Sequence, residues 1–309
     1  MVPAKRPTLY FIGVTTQSSS IMKVFPKWAE ALELENTGIV GIDLPLNAPA
    51  EEYRKVVGFI KEDPLSMGAL VTTHKINLFN ACRDMFDYID PYATELSEVS
   101  CLSKDNGKFC AHAKDPISSG LSLEHFVPPN FWAEHGGEVF LIGSGGSALA
   151  MSLYFGQEKH GDNIPKRVTI CNRKEERLNL AKKHLTSVEK RINLTGAVCP
   201  TPEDHDAIIK NMPPYSLIVN ATGLGKDTPG SPTTDNVDYP VNSLVWEINY
   251  RGDLIFMRQA MEQKEAKNLH VEDGWVYFIH GWTQVVSEVF KIPITGAVLD
   301  RLSDIAKSI

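Results

Sequence analysis

Long apolar runs are missing from this 309-residue chain. No window approaches the roughly 18 consecutive apolar residues of a membrane-spanning helix. The N-terminus, MVPAKRPTLYFIGV, has Lys5 and Arg6 and then a short apolar run that reads as a strand. It has neither the long apolar segment nor the small-residue cleavage site of a signal peptide. Blocks of like charge are missing too: 31 basic and 38 acidic side chains leave a net charge of −7 spread along the chain. That distribution offers nothing to nucleic acid or to an anionic membrane. The five cysteines, Cys82, Cys101, Cys110, Cys171 and Cys199, are odd in number and form no C-x-x-C pair. Buried reduced thiols in a cytoplasmic protein are expected rather than a disulfide scaffold. The histidines show no H-x-x-x-H spacing, so no metal is expected. No internal repeat or low-complexity tract appears.

What remains is alternation. TLYFIGV (8–14) reads as a strand, IMKVFPKWAEALELE (21–35) as a helix despite Pro26, and TGIVGIDLP (37–45) as a second strand. PAEEYRKVVGFIKED (49–63) then reads as a helix with acids in its first turn, MGALVTTH (67–74) as a strand, and KINLFNACRDMF as a helix. Such βαβαβα order predicts a mostly parallel sheet. In VSCLSKDNGKFCAHAKD (99–115), Asn106-Gly107 between two strand-like runs predicts a tight hairpin. HFVPPNFWAEHGG (125–137) reads as a linker, after which alternation restarts with EVFLIG, RVTICNR (167–173), SLIVNATG (216–223) and SLVWEIN (243–249). The tail is amphipathic and helical, and packs back on the first domain in this reading. The expectation is an α/β protein with two domains: residues 1–122 plus 272–309, and residues 123–271 as a Rossmann-type unit.

The run EVFLIGSGGSALAM holds the clearest chemical signal. A strand that ends in glycines and opens a helix presents unpaired backbone N–H groups, and the helix end favours negative charge. Gly143, Ser144, Gly145, Gly146 and Ser147 are therefore expected to hold a pyrophosphate, although a purely structural tight turn would read the same way. Asn172 and Arg173 end the next strand, farther on than the interval of about 20 residues usual for a ribose-reading side chain. An insertion around GQEKHGDNIP accounts for the excess. Arg173, Lys174 and Arg177 suit a 2′-phosphate and hence NADP, guanidinium matching phosphate in two-toothed fashion. Glu175 suits a 2′-hydroxyl and keeps NAD open, and a solvated first helical turn of mixed charge is the plain alternative. In NATGLG, Asn220, Ala221, Thr222 and Gly225 would let backbone lie against a flat cofactor ring.

Taken together, these motifs resemble the shikimate dehydrogenase family from the first strand to the last helices. TQSSSIM stands where the family has Ser-x-Ser, giving Ser18 and Ser20; TTHK supplies Lys75; AHAKD ends in Asp115; and GSGGSALA, NRKEER and NATGLG follow in family order. The resemblance implies hydride transfer between a nicotinamide and a ring carbon of shikimate or 3-dehydroshikimate, within aromatic amino acid biosynthesis or quinate use. It implies Lys75 and Asp115 as catalytic residues, with Ser18 and Ser20 at the substrate carboxylate and Ser100, Tyr250 and Gln284 around the ring. Alone, Lys75 would read as a surface lysine at a helix start and Asp115 as a turn residue before Pro116. Tyr250 and Gln284 would read as ordinary packing.

Departures cluster on the substrate side. Val-Asn-Thr becomes Val99-Ser100-Cys101, Asn-Thr-Asp becomes Ala113-Lys114-Asp115, Thr73 takes a proline's place, and Lys226 replaces a methionine expected near the nicotinamide. Lys114 would meet a carboxylate or be plainly solvated. Losing two hydrogen-bonding partners reshapes preference, because a site built for a hydroxyl discriminates by the groups left unpaired. Shikimate, quinate, an aminated shikimate or another hydroxylated ring acid are all open as substrate, as is a non-catalytic sensor of such metabolites. A methyltransferase is disfavoured, since Ile142 precedes the turn and the second strand ends in Asn172-Arg173 without an acid. No nucleic acid or membrane partner is expected; the considered assembly is a homodimer.

Overall fold

Alternating buried strands and amphipathic helices build two compact units in the computed structural model, which describes residues 1–225 and 228–309. The first unit comprises Met1–Lys114 and Gly281–Ile309, and the second Asp115–His280.

In the first unit, β1 (Thr8–Gly13), β2 (Gly38–Asp43) and β3 (Ser66–Val71) form a parallel core in the order β2-β1-β3. β1 is buried along its whole length, as a central strand covered on both faces must be. The connecting helices, α1 (Ile21–Ala31), α2 (Ala50–Glu62) and α3 (Lys75–Cys82), start close to where the apolar periodicity puts them. α4 (Pro91–Leu96) follows the two-residue strand β4 (Tyr88–Ile89). β5 (Cys101–Asp105) and β6 (Lys108–His112) form the expected hairpin, with Asn106 at φ 49° and Gly107 at φ 78°. Both central residues adopt the left-handed region that a twist-matched two-residue turn demands. β5 runs antiparallel to β3, so the sheet is mixed, in the order β2-β1-β3-β5-β6-β4. The last helix, α12 (Gly296–Lys307), packs on this unit: the Trp28 indole on α1 donates to the Leu302 carbonyl at 2.8 Å.

The second unit carries a six-stranded, wholly parallel sheet. Its strands are β7 (Val139–Ile142), β8 (Val168–Asn172), β9 (Leu194–Val198), β10 (Leu217–Asn220), β11 (Leu244–Glu247) and β12 (His270–Glu272). The order β12-β11-β10-β7-β8-β9 is that of a doubly wound dinucleotide fold, with its switch point between β7 and β10. Around it lie α7 (Gly146–Phe155), α8 (Glu175–Lys183), α9 (Pro202–Lys210) and α10 (Ile255–Lys267). β9 and β12 were not separate elements in the periodicity. β9 shows only alternate burial at a sheet edge, and β12 is three residues long.

Residues 125–137 are more ordered than a linker. α5 (Asp115–Phe126) extends into that stretch, and α6 (Phe131–His135) is bounded by left-handed Asn130 and Gly136. Small residues explain α5's place in the second unit. Gly120 lies so close to Tyr154 of α7 that an added Cβ would stand 2.4 Å from the ring. The units divide at Lys114/Asp115 and His280/Gly281, where the sequence boundaries stood at 122/123 and 271/272. The second division falls within α11 (Trp275–Phe290).

Candidate functional site

The C-terminal edge of the second unit's sheet holds a cavity of about 400 Å³ at the switch point. Gly143 leaves β7 at φ 129°, and a Cβ there would stand 2.9 Å from the Ala221 carbonyl oxygen. Only glycine fits this turn without strain. Gly145 precedes α7, whose first-turn N–H groups have no partner within the helix, and an added Cβ at Gly145 would meet nothing. Such an open cradle at the head of a ten-residue helix fits a pyrophosphate.

Gly143, Ser144, Gly145, Asn172, Arg173, Ala221 and Thr222 of the anticipated cofactor set line this cavity. The Asn172 amide donates to Ser144 Oγ at 2.8 Å, tying the end of β8 to the glycine turn. The other anticipated residues do not line it. Gly146 and Ser147 lie on α7, where Ser147 Oγ accepts from the Tyr277 hydroxyl at 3.4 Å. Lys174 and Arg177 are exposed at the head of α8, beside Glu175. Gly225 is left-handed, and its N–H donates to the Thr228 carbonyl. Lys226 lies outside the described residues.

Asn220 serves behind the wall. Its amide donates to Glu247 Oε2 at 2.7 Å, while its Oδ1 accepts from the Thr222 hydroxyl at 2.6 Å. Glu247 Oε1 accepts from the Asn249 N–H at 2.9 Å and from the Asn249 amide at 2.6 Å. Glu247 is fully buried at the end of β11, and burial pushes its carboxyl up to about 7 against the pull of these donors. Sequence reading missed this acid, and it also missed Cys171, His205 and Pro232 on the cavity wall.

In the first unit, three segments named by the sequence meet at one edge of the sheet. β1 and β3 are parallel neighbours, so the turns after them, 14–20 and 72–75, emerge side by side. Gly13 permits that approach, since a Cβ there would stand 3.1 Å from methyls of both Thr16 and Thr72. The Thr16 N–H donates to Asp43 at 2.8 Å, holding the turn that carries Ser18 and Ser20. Ser18 Oγ donates to the Thr15 carbonyl at 2.8 Å, and Ser20 caps α1 without a side-chain bond. Lys75 opens α3 behind His74, which is buried and anchored through Tyr53 and the Leu44 carbonyl at 3.1 Å each. Thr73, in the proline's place, has φ 56°.

The Val99 N–H donates to the Lys75 carbonyl at 3.2 Å, bringing the third segment in. Ser100 is buried, and its Oγ accepts the Lys114 N–H at 2.7 Å. Lys114 itself meets a carboxylate: its Nζ lies 2.6 Å from Glu288 Oε2 on α11. Lys291 approaches the other oxygen at 2.6 Å, and His112 stands 3.5 Å away. Burial would raise the Glu288 carboxyl, but the Lys114 and Lys291 ammonium groups hold it down at about 2. Gln284 is half-buried on the same helix.

Asp115 is the buried first residue of α5 in the second unit, with Pro116 next to it, as suits a helix start. Tyr250, also in the second unit, packs against Phe278 at 4.4 Å between ring centres.

No family model matches the chain. A shikimate dehydrogenase (NADP(+)) from Nitrosopumilus maritimus (strain SCM1) is 25% identical over 217 residues, covering 70% of this chain and 71% of that protein. Among solved structures, shikimate 5-dehydrogenase from Listeria monocytogenes in complex with shikimate and NAD superposes with a TM-score of 0.71 at 16% identity, covering 98% and 97% of the two chains. The enzyme from Thermus thermophilus in complex with NADP(H) and shikimate gives 0.70 at 18% identity, covering 97% and 98%. The chain is thus similar in sequence to a shikimate dehydrogenase and has the fold of these enzymes over nearly its whole length.

Proposed function

We propose that this protein is an oxidoreductase of the shikimate dehydrogenase type, moving a hydride reversibly between NADP(H) and a ring hydroxyl of shikimate or a related hydroxylated ring acid. The observation that carries the reading is the glycine turn opening α7 at the switch point of a parallel six-stranded sheet, beside a cavity of about 400 Å³. In this reading the second unit binds the nucleotide and the first recognises the substrate. The first-turn N–H groups of α7 meet the pyrophosphate, and Arg173 meets the 2′-phosphate. The nicotinamide, when bound, supplies the hydride chemistry. Lys75 takes the hydroxyl proton in oxidation and returns it in reduction, with Asp115 orienting the same hydroxyl. Ser18 and Ser20 hold the carboxylate, while Ser100, Tyr250 and Gln284 face the ring. The protein acts in the cytoplasm as a homodimer, which sedimentation velocity checks.

One observation favours a ring acid other than shikimate itself. Ala113 has no polar side chain where the family has an asparagine, the Ser100 oxygen in the other asparagine's place already accepts a backbone N–H, and the neighbouring Lys114 is tied to Glu288. Quinate or an aminated shikimate, with NAD(H) read by Glu175, is the second reading. The test follows nicotinamide absorbance with shikimate, quinate and aminoshikimate, each with both nucleotides. Turnover of any of them supports the dehydrogenase. No turnover, with tight ring-acid binding by calorimetry, would make the protein a sensor instead.

A further inference from the structure

A cluster in the second unit has a chemistry that nucleotide binding does not require. Cys171 lies near the end of β8, Cys199 directly after β9, and His205 in the first turns of α9, with one ligand atom of each inside a span of 4.8 Å. Sheet pairing explains the meeting. β8 and β9 are parallel neighbours, and the Cys199 N–H extends their ladder to the Asn172 carbonyl at 2.9 Å.

We propose that Cys171, Cys199 and His205 form a Cys2His site for a soft or borderline divalent cation of the zinc type, its fourth position open to the cavity beside the glycine turn. Zn–S and Zn–N bonds of about 2.3 and 2.0–2.1 Å in tetrahedral array place ligand atoms about 3.5–3.8 Å apart. The observed span therefore needs to close by only about 1 Å. The histidine is held for the task. His205 Nδ1 lies 2.7 Å from the Pro232 carbonyl, which can only accept, so Nδ1 carries the proton and Nε2 keeps its lone pair. Ligating histidines are oriented in this way by the bond from their other nitrogen. One thiol has a donor aimed at it. The Gly143 N–H points at Cys171 Sγ at 3.4 Å, and such a donor favours thiolate character. Access is provided because Cys171 and His205 both line the cavity. Three protein ligands with an open fourth position is the pattern of zinc centres that take a water or a substrate in that position.

Protein stripped with a chelator, and kept reduced with a phosphine, is titrated with Co2+ while thiolate-to-cobalt charge-transfer absorption is recorded. The expected result is one Co2+ per chain with this band, displaced by Zn2+. Cys199→Ser and His205→Gln each weaken the metal at least about 10-fold, with circular dichroism and melting midpoint retained. Cys82→Ser, a buried cysteine of the first unit, leaves binding unchanged. Absence of the band at stoichiometric Co2+ overturns the proposal. So does a band of undiminished affinity in whichever of the two ligand variants folds. Neither readout involves a nucleotide or a ring acid, so failure of the proposed enzymatic activity would leave it standing.

Discussion

Replacing Glu247 by glutamine isolates a pH dependence built into the second unit. The carboxyl has a value near 4.5 when solvated and about 7 in the folded chain, where burial outweighs its bonds from Asn220 and Asn249. The folded state therefore holds this proton more tightly than the unfolded chain. Stability from it is fully present below about pH 4.5, is lost as pH rises toward 7, and is level above that. A gap of about 2.5 at about 1.4 kcal/mol each comes to about 3–4 kcal/mol, of which about 2–3 kcal/mol falls between pH 5 and 8. Glutamine cannot titrate. Urea unfolding followed by tryptophan fluorescence at pH 5, 6, 7 and 8 should show the wild type losing this much relative to Glu247→Gln. A wild-type-minus-variant difference that stays constant within about 0.5 kcal/mol across that range would refute the reasoning. The result reaches the cavity, because Asn220 and Asn249 also hold the Thr222 and Leu224 segment of its wall.

Lys75→Ala should lower turnover about 10²–10⁴-fold, the range of a lost general acid–base group, with nucleotide affinity unchanged by calorimetry; equal turnover would remove Lys75 from the chemistry. Arg173→Ala should weaken NADP(H) much more than NAD(H), and more than Arg177→Ala does, because Arg173 lines the cavity and Arg177 does not. Equal loss of both nucleotides would move the 2′-phosphate elsewhere. Gly143→Ala should weaken nucleotide binding at least about 10-fold, the strain at such a φ being about 1–3 kcal/mol; unchanged affinity would show that the turn can move. Glu288 has a lowered folded value, so its contribution is present above about pH 4.5 and is lost as pH falls toward 2. Lys114→Met should reduce that acid-side loss, read as melting midpoint from about pH 2.5 to 6.

Much of the molecule was legible from local pattern. Alternating apolar periods marked β1 through α3, Asn106-Gly107 marked the hairpin, and the glycines after β7 marked the cavity, because each depends on neighbours within a few residues. The candidate site was legible only in part. Gly143, Ser144, Gly145, Asn172 and Arg173 lie on the cavity wall, whereas Asn220 faces inward to Glu247 and Arg177 stands outside on α8. Position along a motif does not say which way a side chain points, and strand pleat and helix phase decide that after packing.

The sequence by itself determined two α/β units, a glycine turn at the head of α7 and a lysine at the head of α3. Tertiary structure alone decided that Lys114 meets Glu288 from 174 residues away, that Asn220 and Asn249 surround Glu247, and that Cys171, Cys199 and His205 share one small volume. Lys114 and Glu288 meet because α11 comes back to the hairpin strand β6, and the other two groups come together through the order in which parallel strands pair. No local spacing records that order, because it is chosen by burying whole strand faces rather than by adjacent residues.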